Sequence, residues 1–193
     1  MDTTAILETF QKTAGLEAGD VNYLLEHAQL QNFSKNTHIL REGDAANHFY
    51  LIRSGCLMTY FTDVKDGIYV MQFGTEMWWT GDLDGFVKGI GSTYSIRTVL
   101  DSEVYIIEKA LFDHVLARSP GFERYFRIIF QNALISHQRR IMRNISFTAE
   151  ERYEEFLKLY PRMELIIPQK YIASYLGITP EFLSKIRRKM AGK

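Results

Sequence analysis

The 193-residue chain has little cysteine, little proline and no long apolar run. Its single cysteine, Cys56, excludes an intramolecular disulfide and fits a reducing compartment. An iron-sulfur cluster needs several cysteines, so one thiol cannot hold it. No apolar stretch approaches the roughly 20 residues of a membrane helix, and no N-terminal apolar run follows a basic start. We therefore expect a cytoplasmic protein without a membrane partner.

Signatures of metal binding and catalysis are also scarce. The histidines show no ligand spacing relative to one another and fall on different predicted elements (His27, His38, His48, His114 and His137). His48 and Cys56 could in principle be haem ligands, but their spacing does not support it. Asp82 and Asp84 flank a leucine in a glycine-rich turn, yet no nucleophile motif or phosphate loop accompanies them. We expect no metal, no cofactor and no enzymatic activity.

The formal net charge of zero hides an asymmetry along the chain. Residues 139–193 contain 12 Lys and Arg against 6 Asp and Glu, whereas the remainder contains 11 against 17. A basic C-terminal region that follows an acidic one is typical of a nucleic-acid-binding module attached to a soluble domain.

Within the basic region, residues 169–189 (QKYIASYLGITPEFLSKIRRK) have the spacing of a helix-turn-helix. Such a motif needs a small residue where its helices cross and a turn residue that tolerates positive φ. Ala173 and Gly177 meet these two needs. The apolar positions that join the helices are Ile172, Leu176, Ile178, Leu183 and Ile186.

The second helix of this motif has its own start signals. Thr179 suits the N-cap, Pro180 the first helical position and Glu181 the positive first turn. With the apolar positions turned inward, polar and basic side chains share an outward face. The residues predicted to bind DNA are Thr179, Glu181, Ser184, Lys185, Arg187, Arg188 and Lys189, with Lys193 in the tail. The alternative is a structural helical hairpin with a solvated charged face.

Upstream, the apolar pattern changes twice. Helical spacing covers about Thr3 to Gln31 in two segments, with Asp20 as a candidate N-cap of the second. From about Phe33, short runs rich in Ile, Val, Tyr, Phe and Thr predict an antiparallel sandwich or roll. Glycines fall at its expected turns (Gly43, Gly55, Gly67, Gly74 and Gly81).

A helical pattern resumes at Ala110, and its longest segment runs from Phe122 to about Ile145. A helix of this length, about 36 Å, cannot bury both faces in so small a domain. It is expected to pair with a second copy of itself; a single core helix is the alternative. Thr148 then begins T-A-E-E, the pattern of a capping box, and Pro161 should end the helix that follows.

Three strings carry a resemblance to a known family: LREGDAANHFYLIRSGCLMTY, GDLDGF and SEVYIIEK. They resemble the β-roll of cyclic-nucleotide-binding domains. With the helix-turn-helix, the chain is similar to the Crp/Fnr family of bacterial transcription regulators, particularly short members typical of Bacteroidetes. The resemblance implies an α+β fold in three parts. These are an antiparallel double-stranded β-helix (jelly-roll-like) sensor domain at 1–117, a dimerisation helix at 118–146, and a winged-helix-like helix-turn-helix domain at 147–193 that lacks a C-terminal wing.

The resemblance also implies an effector cassette, in which a Glu receives the ribose hydroxyl and an Arg pairs with the phosphate. Here Asp82 stands at the Glu position and Ser92 at the Arg position, while Lys88 and Arg97 are out of register. The candidate effector pocket is Gly81, Asp82, Leu83, Ser92 and Thr93. Without the arginine, cAMP is not expected to bind, and no other effector can be named. Four aromatic residues line an apolar pocket or belong to the core (Trp78, Trp79, Phe86 and Tyr94).

The expected function is that of a homodimer, joined through residues 122–145, that binds double-stranded DNA and has RNA polymerase as a further partner. Glu181 is expected to accept from cytosine, and Lys185 or Arg188 to donate to guanine. Ser184 would contact base or phosphate, and phosphates would be held by Arg187, Lys189 and Lys193. Relatives commonly have Arg at the position of Pro180, so their base preference does not transfer. Any wing must come from residues 162–167. The alternative is a sensing or interaction module that has lost DNA recognition.

Overall fold

The computed structural model describes residues 3–191, beginning with two helices. These are α1 (Thr3–Ala14) and α2 (Ala18–His27). The predicted N-cap at Asp20 is wrong, because Glu17 holds that position with extended backbone. Asp20 lies in the first turn of α2, where its carboxylate accepts a 2.6 Å hydrogen bond from Ser119. The predicted helical boundary at Gln31 is also wrong, since a strand begins at Gln29.

Eight strands follow and form two four-stranded sheets. One has the order β1-β8-β3-β6 and the other β2-β7-β4-β5. Every strand pair whose register is resolved is antiparallel, as predicted for a roll. The strands are β1 (Gln29–Phe33), β2 (His38–Leu40), β3 (His48–Ser54), β4 (Leu57–Thr62), β5 (Ile68–Gly74), β6 (Trp79–Thr80), β7 (Ser95–Thr98) and β8 (Ser102–Glu108), and the short helix α3 (Leu83–Lys88) lies between β6 and β7.

The remainder is helical. It comprises α4 (Lys109–Arg118), α5 (Pro120–Ser146), α6 (Ala149–Leu159), a 3-10 turn (Met163–Leu165), α7 (Gln169–Leu176) and α8 (Pro180–Ala191). The capping box at Thr148 is present: its hydroxyl accepts from the Glu151 backbone, and the Glu151 carboxylate accepts from the Thr148 backbone. Residues 162–167 contain the 3-10 turn and no strand, so the segment predicted to supply any wing forms none.

The chain forms two compact units. The first comprises residues 3–59 and 73–133, and the second comprises residues 60–72 and 134–191. Helix α5 therefore contributes its first half to one unit and its second half to the other. The tip of the β4–β5 hairpin groups with the helix-turn-helix.

An aromatic core holds the first unit together. Phe10 stacks on Tyr125 at a ring-centroid distance of 4.2 Å, and the Trp79 indole donates a 3.0 Å hydrogen bond to the Tyr125 hydroxyl. Phe86 is 2% exposed and packs edge-on against Phe112. Trp79 and Phe86 thus belong to the core and do not line an apolar pocket.

Residues 3–191 lack both a membrane-spanning helix and a cluster of metal ligands. None of their helices has the length and apolar content needed to span a bilayer. They also bring together no group of three or more His, Cys, Asp or Glu side chains suited to a metal ion.

Candidate functional site

The turn between α7 and α8 is built on Gly177. Its φ of 67° is in the left-handed region that favours glycine. Its N–H donates to Ser174 O, and the N–H of Ile178 donates to Ala173 O, which is the hydrogen-bond pattern of a Schellman motif. Ala173 is fully buried where the helices meet. The helix-turn-helix predicted from spacing is therefore present.

The start of α8 follows its predicted signals. The Thr179 hydroxyl accepts from the backbone N–H of Phe182 at 3.2 Å, and Pro180 is the first helical residue. Glu181 lies in the first turn. Hydrogen bonds from its own backbone N–H and from the Thr179 side chain lower the pKa of its carboxyl group, so it is ionised at neutral pH.

Helix α8 separates buried from exposed side chains sharply. Leu183 is 0% and Ile186 2% exposed, whereas Glu181, Lys185 and Arg188 are exposed on the opposite face. This segregation follows from the 3.6-residue period of the helix. The second unit therefore presents one carboxylate and two cations on a single helical surface, which we call the α8 face.

The other residues of α8 predicted to bind DNA are half-buried or paired with a protein group. Ser184 is half-buried and its hydroxyl lies 3.2 Å from the Gln169 amide oxygen. Arg187 is half-buried as well. Lys189 is exposed, but its ammonium group contacts both carboxylate oxygens of Glu150 at 2.8 Å. Lys193 lies outside the described residues.

Two residues of this surface were missed by sequence reasoning. Phe182 is 46% exposed and follows Glu181 in α8. Gln169 of α7 accepts a hydrogen bond from Ser184, which lies next to Lys185 in α8. Phe182 was hidden because an apolar residue next to buried Leu183 suggests core. Gln169 could not be predicted because its hydrogen bond joins two different helices, α7 and α8. The first position of the first helix is the signal that could have found it.

Several arginines counted in the basic C-terminal region make structural contacts. Arg140 donates to the carbonyls of Val70 and Tyr175, and Arg152 donates to carbonyls at the end of α5. Arg143 pairs with Glu155 at 3.4 Å. The charge excess therefore overstates the cations available to a polyanion.

Ser174 of α7 binds the open edge of β5, the last strand of its sheet. Its hydroxyl accepts from Val70 N–H at 2.9 Å and donates to Ile68 O at 2.6 Å. Arg140 takes the next edge group, Val70 O, at 3.1 Å, and its guanidinium lies 4.3 Å from the Tyr175 ring centroid. Edge groups that would otherwise be open for pairing are thus satisfied by side chains of the same unit.

Replacing Ser174 with alanine should destabilise the second unit by about 1–3 kcal/mol, because Val70 N–H and Ile68 O then lose their partner. Amide hydrogen exchange at Val70 should accelerate correspondingly. Ser146→Ala is the matched control, since that hydroxyl bonds only within its own helix, to Met142 O. Unchanged exchange at Val70 in Ser174→Ala would contradict the role assigned to this hydroxyl.

The predicted effector pocket contains a network centred on Asp82, which is 1% exposed. Its Oδ1 accepts from Gly85 N–H at 3.0 Å. Its Oδ2 accepts from Thr93 N–H at 2.8 Å and from the Thr93 hydroxyl at 3.0 Å, and it lies 3.0 Å from the Ser92 hydroxyl. The single Ser92 proton is shared with Tyr94 O, 2.8 Å away. The structure therefore brings Asp82, Ser92 and Thr93 of the predicted pocket together.

Opposing effects act on this carboxyl group. Burial raises the pKa of Asp82, but the hydrogen bonds from Gly85, Thr93 and Ser92 together outweigh burial and lower it. The side chain is therefore a carboxylate at neutral pH.

The other residues predicted for this region are partly exposed or contribute only a backbone group. Leu83 and Trp78 are 42% and 39% exposed. Gly81 contributes its carbonyl, which accepts from the Tyr94 hydroxyl at 2.9 Å. The loop of residues 43–46 lies beside this turn, where Gly43 N–H donates to Ser92 O.

Cys56 is fully buried, and burial raises the pKa of its thiol to about 12. The thiol is therefore neutral at physiological pH. Metal binding and nucleophilic attack both require the thiolate, so Cys56 is a core residue.

Comparison with known proteins gives the class first. Residues 30–119 match the family model of the cyclic nucleotide-binding domain. The chain also has the fold of a Crp/Fnr-type transcription regulator, so the resemblance drawn from its sequence is confirmed.

The chain is also similar to individual regulators of this class. The chain is 24% identical over 168 residues to the regulatory protein HlyX of Actinobacillus pleuropneumoniae, covering 79% of this chain and 67% of HlyX. It is similar in fold to FixK2 from Bradyrhizobium japonicum, with a TM-score of 0.75, 17% identity, and coverage of 86% of this chain and 85% of that one. The c-di-GMP responsive global regulator CLP of Xanthomonas campestris gives a TM-score of 0.73, 18% identity, and coverage of 91% and 92%.

Proposed function

We propose that this protein is a dimeric, sequence-specific DNA-binding transcription regulator whose sensor domain does not respond to cAMP. The observation that carries the proposal is the α8 face, where Glu181, Lys185 and Arg188 are exposed opposite buried Leu183 and Ile186. A helix that presents donors and an acceptor in this way suits the major groove, whose base edges carry a distinct pattern of donors and acceptors.

Dimerisation is supported by the second half of α5. Five apolar side chains there are between 44% and 82% exposed: Leu134, Ile135, Ile141, Met142 and Ile145. Leu134 and Ile141, like Ile135 and Met142, are seven residues apart, which is the repeat of a two-helix seam. A second copy of the same helix is the partner that this repeat fits. Two α8 helices would then read half-sites about 34 Å apart.

Within the α8 face, Lys185 and Arg188 donate to guanine and Glu181 accepts from cytosine. Lys189 reaches a phosphate only by leaving Glu150, so its net contribution to affinity is small. Phe182 and Gln169 lie beside this set. RNA polymerase as a further partner stays a prediction.

Replacing Lys185 with alanine should weaken a specific duplex by about 1–3 kcal/mol while barely changing binding to random DNA, since a base contact is lost. Fluorescence anisotropy with both duplexes over a range of salt concentrations measures this. Lys158→Ala removes an exposed lysine from α6, away from the α8 face, and should change neither affinity. Equal losses on both duplexes would contradict base reading by Lys185.

The second candidate is a sensing or protein-interaction module of the same fold that does not recognise DNA. The engagement of Arg140, Arg143, Arg152 and Lys189 by groups of the protein favours it, since these cations are not free to meet phosphates. Binding to a duplex from the protein's own promoter region separates the candidates. Affinity that falls steeply with salt supports the regulator, and no binding at low salt supports the module.

A further inference from the structure

The Asp82 network is a set of donors from two segments of the first unit that converge on one carboxylate. Three donors come from the turn at Ser92 and Thr93, and one comes from the backbone of Gly85. Backbone and hydroxyl donors that meet at one point make a concave anion-binding site. In this chain the anion at that point is the carboxylate of Asp82 itself.

The network is close to saturation. Oδ2 has three donors at 2.8 to 3.0 Å, and Oδ1 has one at 3.0 Å. No cation appears among these partners, so the negative charge is balanced by dipoles. An oxyanion from solution would have to displace the carboxylate from all four donors and would also be repelled by it at close range.

The site nevertheless lies next to a residue that is exposed to solvent. Asp82 is 1% exposed, but Thr93, which provides two of its donors, is exposed. The two donors of Thr93 are therefore reachable as soon as the carboxylate is removed.

We propose that Asp82 is a specificity-determining residue whose carboxylate occupies the anion position of this turn and closes it to anionic ligands. An effector that binds at this turn without displacing Asp82 must present donors or an apolar surface rather than a phosphate. The inference rests on the proposed function only where it explains insensitivity to cAMP, an anionic nucleotide.

The test uses the full-length protein with Asp82→Ala and inorganic phosphate as the probe. Thermal unfolding is followed as chloride is replaced by phosphate at constant ionic strength. The variant's midpoint should rise saturably, by about 3–6 °C when phosphate exceeds its dissociation constant tenfold. The wild-type midpoint should not distinguish the two salts.

Asp84→Ala is the matched control. It removes a carboxylate two residues further along the chain, where Asp84 is exposed in α3 and pairs with Lys88 at 2.6 Å, so the change in net charge is identical. A phosphate response of equal size in Asp84→Ala overturns the proposal, as does a folded Asp82→Ala variant that does not respond. If Asp82→Ala is unfolded in chloride, phosphate must restore its folding, and failure to do so also overturns it.

A separate titration tests the insensitivity to cAMP. Wild-type protein should give no saturable heat with millimolar cAMP. A micromolar isotherm would refute that part of the proposed function, while the phosphate response of Asp82→Ala would still decide the role of Asp82.

Discussion

Replacing Ile141 and Ile145 together by aspartate should convert the proposed dimer to a monomer and lower its affinity for a palindromic duplex by a factor of about 10²–10⁴. The two side chains are 59% and 82% exposed within one chain, so the folded monomer loses little when they change. In a paired helix they would face their counterparts, and four carboxylates would then be buried in an apolar seam. The loss of DNA affinity follows because each α8 face would bind its half-site alone.

Sedimentation equilibrium measures the mass, and duplexes with one or two half-sites separate the two effects. The variant should bind a single half-site as the wild-type protomer does, and only the gain from the second half-site should disappear. Leu165→Asp is the control, since Leu165 is 76% exposed and belongs to the 3-10 turn rather than to α5. A double variant that stays dimeric would show that the second half of α5 is not the seam.

The helix-turn-helix could be predicted because its signals are local. Gly177 has a left-handed conformation, Thr179 caps the next helix, and Ala173 is buried at the crossing, all within seven residues of sequence. Each of these features depends on backbone geometry that one stretch of chain determines by itself. The capping box at Thr148 was predictable for the same reason.

Contacts between distant segments were not predictable. Ser174 bonds residues more than 100 positions away, and nothing in its neighbourhood indicates an edge strand as its partner. Arg140 was counted as part of a basic region, although its partners are carbonyls of β5 and α7. A count of charges records how many cations exist but not which of them protein groups already satisfy.

Asp82 shows that the position of a motif can be predicted while the contacts of its side chains cannot. The resemblance assigns Asp82 and Ser92 to the Glu and Arg positions of the effector cassette, and the missing arginine argues against cAMP binding. Nothing in the sequence indicates that the carboxylate binds the donors of Ser92 and Thr93, since that contact depends on the fold of the intervening turn. The Asp20 error has a related cause, because its partner, Ser119, is 99 residues away.

Leu183→Ala should unfold the helix-turn-helix well before the β-roll. Leu183 is 0% exposed between α7 and α8, and truncation of a buried leucine costs about 2–5 kcal/mol. The other buried apolar residues between α6 and α8 are few: Tyr153, Phe156, Met163, Ile167, Tyr171, Ile172, Ala173, Leu176 and Ile186. A loss of this size is comparable with the whole stability of such a core. Specific DNA binding should therefore be lost at temperatures at which the first unit is intact.

The position of the tryptophans makes this measurable. Both of them, Trp78 and Trp79, belong to the first unit, so their fluorescence follows that unit, whereas circular dichroism at 222 nm follows every helix. In Leu183→Ala a new low-temperature transition should appear in the dichroism and not in the fluorescence. Leu165→Ala, an exposed leucine, should leave both curves unchanged. If dichroism and fluorescence shift together in Leu183→Ala, the two units unfold as one cooperative body, and the loss of DNA binding cannot be assigned to the helix-turn-helix alone.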